Sequence, residues 1–364
     1  MERVNSSEYK NMKITLFLWL VLGTGTLVIM LYAAMHKTIV IADASKGTTE
    51  MNLSEQGGQS GGENYAGKEL EVLGLSGQTD VLRIPLPANL QADAVVMENR
   101  YMEQELWVHI QDTPADFYEG KSIAGDENCI LRAFCESQEK NVVLKLQMTG
   151  VFEYISTMEE DTLFISCHAP GELFDKIVVI DPCGGGSELG LTVDGLTEKE
   201  LALQVAKLLP KAMEQDDCRI YFTRTSDVDI EQDKRVKLAA AVHADFYVEV
   251  GVSADYEHPE VYGVKSLYNE NYFIPDFGNV QLADVLARNV TITASDRAIG
   301  LEPVEEDAES VLNMLGVPAA KICLGYITNE QEKLLLRQED YQEKLAEGLA
   351  NAIQEVYTNK EFAE

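Results

Sequence analysis

Residues equipped for chemistry are few in this 364-residue chain: five histidines and six cysteines set against 61 Asp and Glu. The Gly184–Gly186 run follows the apolar segment KIVVI (176–180), as a phosphate cradle would. No Gly-Lys-Ser/Thr follows it and no helix starts at once, so a phosphate loop is a weak reading. His109 lies in LWVHI (106–110), and a single His on a strand face is ordinarily structural. Cys129, Cys135 and Cys167 fall in the first half of the chain, and Cys183, Cys218 and Cys323 in the second. Three thiols cannot all pair within one half, which argues against a disulfide framework. With 29 Lys+Arg the net charge is −32. Affinity for nucleic acid needs basic groups that release counterions, so binding by bulk charge is excluded and no nucleic-acid partner is expected.

The elements that must position these residues divide the chain. Residues 1–13 read as a cytoplasmic N-terminus, and 14–36 as a stretch free of Asp, Glu, Lys and Arg. At ~1.5 Å per residue a helix of that length crosses the ~30 Å hydrocarbon core, and it is too long for a signal-peptide core of ~7–15 residues. Arg3, Lys10 and Lys13 precede it, so the basic bias sets the rest of the chain outside the cell. All but four basic and two acidic residues lie beyond residue 40, giving that part a net charge of −34. Residues 37–68, rich in Gly and Ser, read as a flexible tether. Residues 69–170 carry short apolar or alternating runs (81–86, 106–110, 142–148, 162–167), predicting a small all-β domain of sandwich type. From 174 to 360 strands alternate with amphipathic helices. KIVVI, RIYFT (219–223), DFYVEV (245–250) and AAKICLGYI (319–327) are the strands; helices are expected over 196–210, 229–243, 279–289 and 338–357. That alternation predicts an α/β fold, a mostly parallel sheet with helices on both faces.

Residues 176–198 resemble the opening strand and loop of the zinc-dependent N-acetylmuramoyl-L-alanine amidases of bacterial cell walls. Asp181, Pro182, Gly185, Gly186, Gly190, Gly195, Glu198 and Lys199 keep step with the family's D-P-G-H-G-G and G-x-x-E-K-D pattern. The likeness continues through Thr223–Asp227, Arg235, Ala244–Phe246, Val317–Ala319 and Gly325–Asn329, covering about 175–357. It implies an amidase-like fold and a cell-wall setting, with peptidoglycan or an envelope protein as partner. Residues 142–167 resemble, more loosely, the small β-sandwich that often precedes such domains and helps localise them on peptidoglycan.

Carried over residue by residue, the resemblance puts the first zinc His at Gly184, the ligand Glu at Glu198, the second His at Gly251 and the acid/base Glu at Cys323. A hydrolytic zinc needs three protein ligands and an open position for water. Structural zinc sites in small domains are worth ~10–16 kcal/mol with four ligands, and one surviving carboxylate does not replace them. Without the metal, water keeps its pKa of ~15.7 instead of ~7. The expectation is a membrane-tethered pseudoenzyme with no cofactor, its vestigial pocket formed by Asp181, Cys183, Glu198, Glu249 and Cys323. Restoring His at 184 and 251 is then expected to restore zinc. The alternative is an active peptidoglycan amidase with a rewired site. Cys183, Glu198, Glu249 and Cys323 would then converge on a metal or supply a thiol nucleophile, with His258 as the base that a thiol requires. Cys183 and Cys323 are otherwise read as small buried replacements.

Overall fold

Strand-forming runs dominate the first half of the computed structural model, which describes residues 38–41, 67–74, 81–214, 217–305 and 310–361. The apolar stretch 14–36 and most of the tether lie outside these residues. Among those described, no helix is long and apolar enough to cross a membrane. Among the described residues ten strands precede residue 170: β1 (Thr38–Ile41), β2 (Lys68–Gly74), β3 (Val81–Pro85), β4 (Val95–Arg100), β5 (Glu105–Ile110), β6 (Ser122–Gly125), β7 (Ile130–Gln138), β8 (Asn141–Met148), β9 (Glu153–Glu159) and β10 (Thr162–His168). They pair in the order β1-β9-β10-β3-β6-β2-β7-β8-β5-β4. Alternation places Val142, Leu144, Leu146 and Met148 of β8 inside and their neighbours outward. These residues share one core with Leu82, Ile84, Leu106, Val108, Leu163 and Ile165.

The tether expected over 37–68 is shortened at its start. Thr38–Ile41, sequence TIVI, pairs antiparallel with β9 instead of remaining free. β-branched residues favour the pleated conformation, and the exposed edge of β9 offers unpaired backbone groups.

The second half is layered. Its strands are β11 (Ile177–Pro182), the short hairpin β12 (Thr192–Val193) and β13 (Leu196–Thr197), β14 (Arg219–Phe222), β15 (Phe246–Ser253), β16 (Val264–Tyr268), β17 (Ala298–Pro303) and β18 (Ala319–Tyr326). Its main helices are α1 (Glu198–Ala212), α2 (Gln232–Ala241), α3 (Asn279–Ala294), α4 (Glu330–Leu336) and α5 (Glu339–Glu361). The six-stranded sheet has the order β14-β11-β15-β18-β16-β17. Successive residues of a strand face opposite sides. Val178 and Ile180 pack in the core formed with α1, α3 and α5, while Ile177 and Val179 pack in the core formed with α2.

The sheet is mostly parallel, as expected, with one antiparallel pairing that makes it mixed. β14, β11, β15 and β18 run parallel, but β16 is antiparallel to β18 and takes β17 with it. The connection after β15 is a loop without a crossover helix, so the chain re-enters from the end it left and must reverse. The closing helix expected over 338–357 is α5, and a short separate helix, α4, precedes it.

The first half covers the edge of this sheet. Tyr101 Oη accepts from Phe222 N at 3.0 Å and donates to Phe222 O at 2.9 Å, capping the outer strand β14. Glu153 at the start of β9 accepts from Arg219 Nε at 2.7 Å and from the Tyr221 hydroxyl.

Candidate functional site

The candidate site lies at the carboxyl ends of β11, β15 and β18, the usual location for sites on parallel strands. Thr197 ends β13 and caps α1 by accepting from Glu200 N, which sets Glu198 on the first turn of the helix. Glu198 is thereby turned inward and is 5% exposed. Its Oε2 accepts from Leu191 N at 3.1 Å and its Oε1 from Val252 N at 3.2 Å. The same Oε1 lies 2.9 Å from Lys321 Nζ.

Lys321 was not singled out from the sequence, yet it stands at the centre. Besides Glu198, its ammonium faces Glu249 Oε1 at 3.4 Å. Burial works against the charge of Lys321, but the Glu249 and Glu198 carboxylates around it prevail and hold its pKa well above the usual lysine value. Burial likewise pulls the Glu198 carboxyl upward, and the Lys321 charge with the Leu191 and Val252 amides outweighs it, leaving Glu198 below its ordinary range. The available signal was a lone charge between Ala320 and Ile322 in a strand apolar on both faces.

The remaining candidates are arranged around this pair. Cys183 Sγ donates to Glu249 Oε1 at 2.9 Å. Burial first, then the Glu249 charge, drives the Cys183 thiol well above its normal pKa. Cys323 stands opposite Gly251 in the β15–β18 register and is 1% exposed. Burial raises its pKa as well. Nucleophilic or metal-binding sulfur must be thiolate, and both sulfurs are held as thiols. His258, the base the thiol alternative needs, is exposed on the loop after β15, where its amide donates to Asp255. The geometry therefore gives Cys183 a carboxylate partner. His109 faces Glu98 at 3.3 Å on the first half's surface.

Asp181 neighbours Glu249 in register but is committed elsewhere. It accepts from the Thr223 and Tyr247 hydroxyls and pairs with Arg235 from α2. Arg235 Nη2 also donates to Gly184 O at 2.8 Å, and Arg224 donates to the carbonyls of Pro182, Cys183 and Lys199. These two arginines, unassigned from sequence, hold the glycine loop.

The two glycines that the resemblance sets against zinc histidines have no room for a side chain. Gly184 has φ +66°, and a Cβ there would meet Glu188 O at 2.5 Å. At Gly251 the backbone is ordinary, but a Cβ would lie 2.4 Å from Glu198 Oε1, 2.7 Å from Lys321 Cε and 2.8 Å from Cys183 Sγ.

Comparison with known proteins bears on this arrangement. The model of the N-acetylmuramoyl-L-alanine amidase family matches residues 178–355. This part of the chain is a member of that family. A protein designated YqiI from Bacillus subtilis is 28% identical over 200 residues, covering 54% of this chain and 92% of its own length. The germination-specific N-acetylmuramoyl-L-alanine amidase of the same organism is 26% identical over 204 residues, covering 52% of this chain and 82% of its own. Among solved structures, an N-acetylmuramoyl-L-alanine amidase from Clostridium difficile 630 is 27% identical, with a TM-score of 0.46, and covers 50% of this chain and 97% of that one.

The amidase family is generally zinc-dependent. The residues present here do not fit that ion. Zinc needs ligand oxygens at ~2.0–2.2 Å and further nitrogen or sulfur donors. Positions 184 and 251 offer no donor atom, both thiols are protonated, and the Glu198 and Glu249 oxygens face an ammonium.

Proposed function

We propose that this chain is a cell-membrane protein, single-pass through residues 14–36, whose extracytoplasmic amidase-family domain binds without cutting. Its partner is peptidoglycan or an envelope protein, and its site lacks a hydrolytic centre. The observation that carries this reading is the pair Gly184 and Gly251: neither has a donor atom, and neither has space for one. A water molecule polarised by no metal keeps its bulk acidity, and Glu198 and Glu249 both face the Lys321 ammonium instead of standing free to take its proton.

The test uses the full chain in detergent with purified peptidoglycan sacculi. It should sediment with the sacculi and release no soluble stem peptide, with an active amidase run alongside. Stem-peptide release that disappears in Glu198→Ala would overturn the reading. Topology is tested separately: protease applied to intact protoplasts should remove residues 38–364, and protection of that region would reverse the orientation.

A further inference from the structure

Lys321 and Gly251 lie on adjacent parallel strands, with Gly251 opposite Cys323 and Glu249 opposite Lys321. The Lys321 stem leans forward along the strands, so that its Cε comes within 2.7 Å of where a Cβ on Gly251 would be. A side chain at 251 and the Lys321 stem therefore compete for one volume. At the end of that stem, Nζ sits 2.9 Å from Glu198 and 3.4 Å from Glu249. Lys199, the next lysine in the neighbourhood, is engaged elsewhere, donating to Gly186 O and pairing with Asp227, both at 2.7 Å. The inward carboxylates thus draw on Lys321 for their positive charge.

We propose that the Lys321 ammonium is a tethered cation that takes the metal's place in this domain, while its stem takes the volume of the lost ligand at 251. The inference rests on the family membership of residues 178–355 and deepens the non-catalytic reading of the same site. A buried carboxylate without a counter-charge is strongly unfavourable. In a metal-binding relative such a charge is offset by an ion that can dissociate. Here the compensation is covalent and independent of metal supply. An ammonium offers no Lewis-acid coordination position, so it offsets part of the carboxylate charge without lowering the pKa of a bound water. Loss of the ligand at 251 and the presence of Lys321 are one coupled replacement, because each makes the space or charge condition the other needs.

The test compares the full chain with Lys321→Ala, Gly251→Ala and the double variant. Each is exposed to excess zinc, desalted, assayed for metal by mass spectrometry, and melted with and without zinc. Wild type should emerge free of zinc, with a melting temperature indifferent to it. Lys321→Ala should melt lower without zinc, take up zinc through Glu198, Glu249 and Cys183, and regain melting temperature when it does. Gly251→Ala should lower the melting temperature more in the wild-type background than beside Lys321→Ala, with part of the loss remaining there because Glu198 Oε1 and Cys183 Sγ still obstruct the position. If Lys321→Ala fails to fold, adding Glu249→Gln removes one unbalanced carboxylate and should recover folding. Stoichiometric zinc in wild type that Glu198→Gln abolishes would overturn the proposal. So would additive effects at 251 and 321, or no recovery with Glu249→Gln. The two readings separate cleanly. Zinc-free wild type that releases stem peptide sinks the non-catalytic function alone, while zinc-loaded wild type without release sinks the tethered cation alone.

Discussion

Replacing Arg235 by Met asks whether Asp181 is a structural clasp or part of the pocket. The Arg235 guanidinium is 4% exposed, pairs with Asp181, and donates to the carbonyls of Pro182, Gly184 and Ile230. Met keeps much of the stem volume but supplies no donor and no charge. Asp181 would retain its Thr223 and Tyr247 hydrogen bonds and lose its counter-charge. Breaking a buried pair from one side costs ~3–5 kcal/mol. In a domain of this size each kcal/mol lowers the melting temperature by ~2–4 °C, so the fall should be ~6–20 °C. Thermal and urea unfolding of the full chain, followed by near-UV circular dichroism, would measure it. The double variant Asp181→Asn/Arg235→Met removes the stranded charge and should recover part of the loss. A fall below ~1 kcal/mol, or no recovery in the double variant, would refute the assignment of Asp181 to the Arg235 clasp.

Three further outcomes follow from the same coordinates. Tyr101→Phe removes both hydrogen bonds to Phe222 at the sheet edge, so stability should drop by ~1–3 kcal/mol and the Phe222 amide should exchange faster with deuterated solvent. Burial, with Asp296 beside it, pushes the Glu332 carboxyl up to about 8 from an ordinary value of 4.5, against the pull of the Tyr326 and Gly263 amides. The folded state then binds an extra proton between those values. Stability should therefore fall as pH rises from about 5 to 8, by at most ~1.4 kcal/mol per unit, and Glu332→Gln should flatten the slope in urea melts. Gly184→His with Gly251→His should lower the melting temperature and gain no zinc while Lys321 remains, since both positions are obstructed. This reverses the expectation drawn from the motif alone, and metal analysis of the variant decides between them.

The parts of the amidase-family domain that were legible in the sequence are those buried on both faces. KIVVI, DFYVEV and AAKICLGYI are continuous apolar runs, and β11, β15 and β18 appear where those runs are. VKSLY and AIGLEP became β16 and β17 unnoticed because they are short, half-exposed and lack a clean period. Without them the single antiparallel pairing, β16 with β18, could not be foreseen in a sheet that is otherwise parallel. In the first half, β4 carries Glu98, Asn99 and Arg100, and β9 ends in Thr-Met-Glu, patterns that propensity alone does not separate from loop. At the site, motif register located Gly184, Glu198, Gly251 and Cys323, since ligand positions are fixed by sequence spacing. Lys321 escaped because its role arises between strands. Register comparison asks what stands at each ligand position, whereas space and charge at that position are set by a residue two places from Cys323 on the adjoining strand.

Burial of charged residues leaves the chain's acidic excess in place. Lys199, Arg219, Arg224, Arg235, Lys321 and Lys333 are buried or nearly so, tied to carboxylates and carbonyls. Glu105, Glu153, Asp181, Glu198, Glu249 and Glu332 are buried to a similar degree, so removing both sets leaves the imbalance of 61 acidic against 29 basic residues essentially intact. Such a field repels anionic wall polymers and attracts basic groups over about a Debye length, ~8 Å at physiological salt and ~3 Å at 1 M. Salt therefore separates the two proposed partners. If the domain binds peptidoglycan within an anionic wall, raising salt screens a repulsion, and sedimentation with sacculi should hold or increase. If it binds a basic envelope protein, raising salt screens an attraction, and capture of that partner should weaken, chiefly through slower association. Sacculus binding that collapses between ~0.05 and ~0.5 M salt would show attraction where the acidic surface requires repulsion, and the peptidoglycan reading would fall.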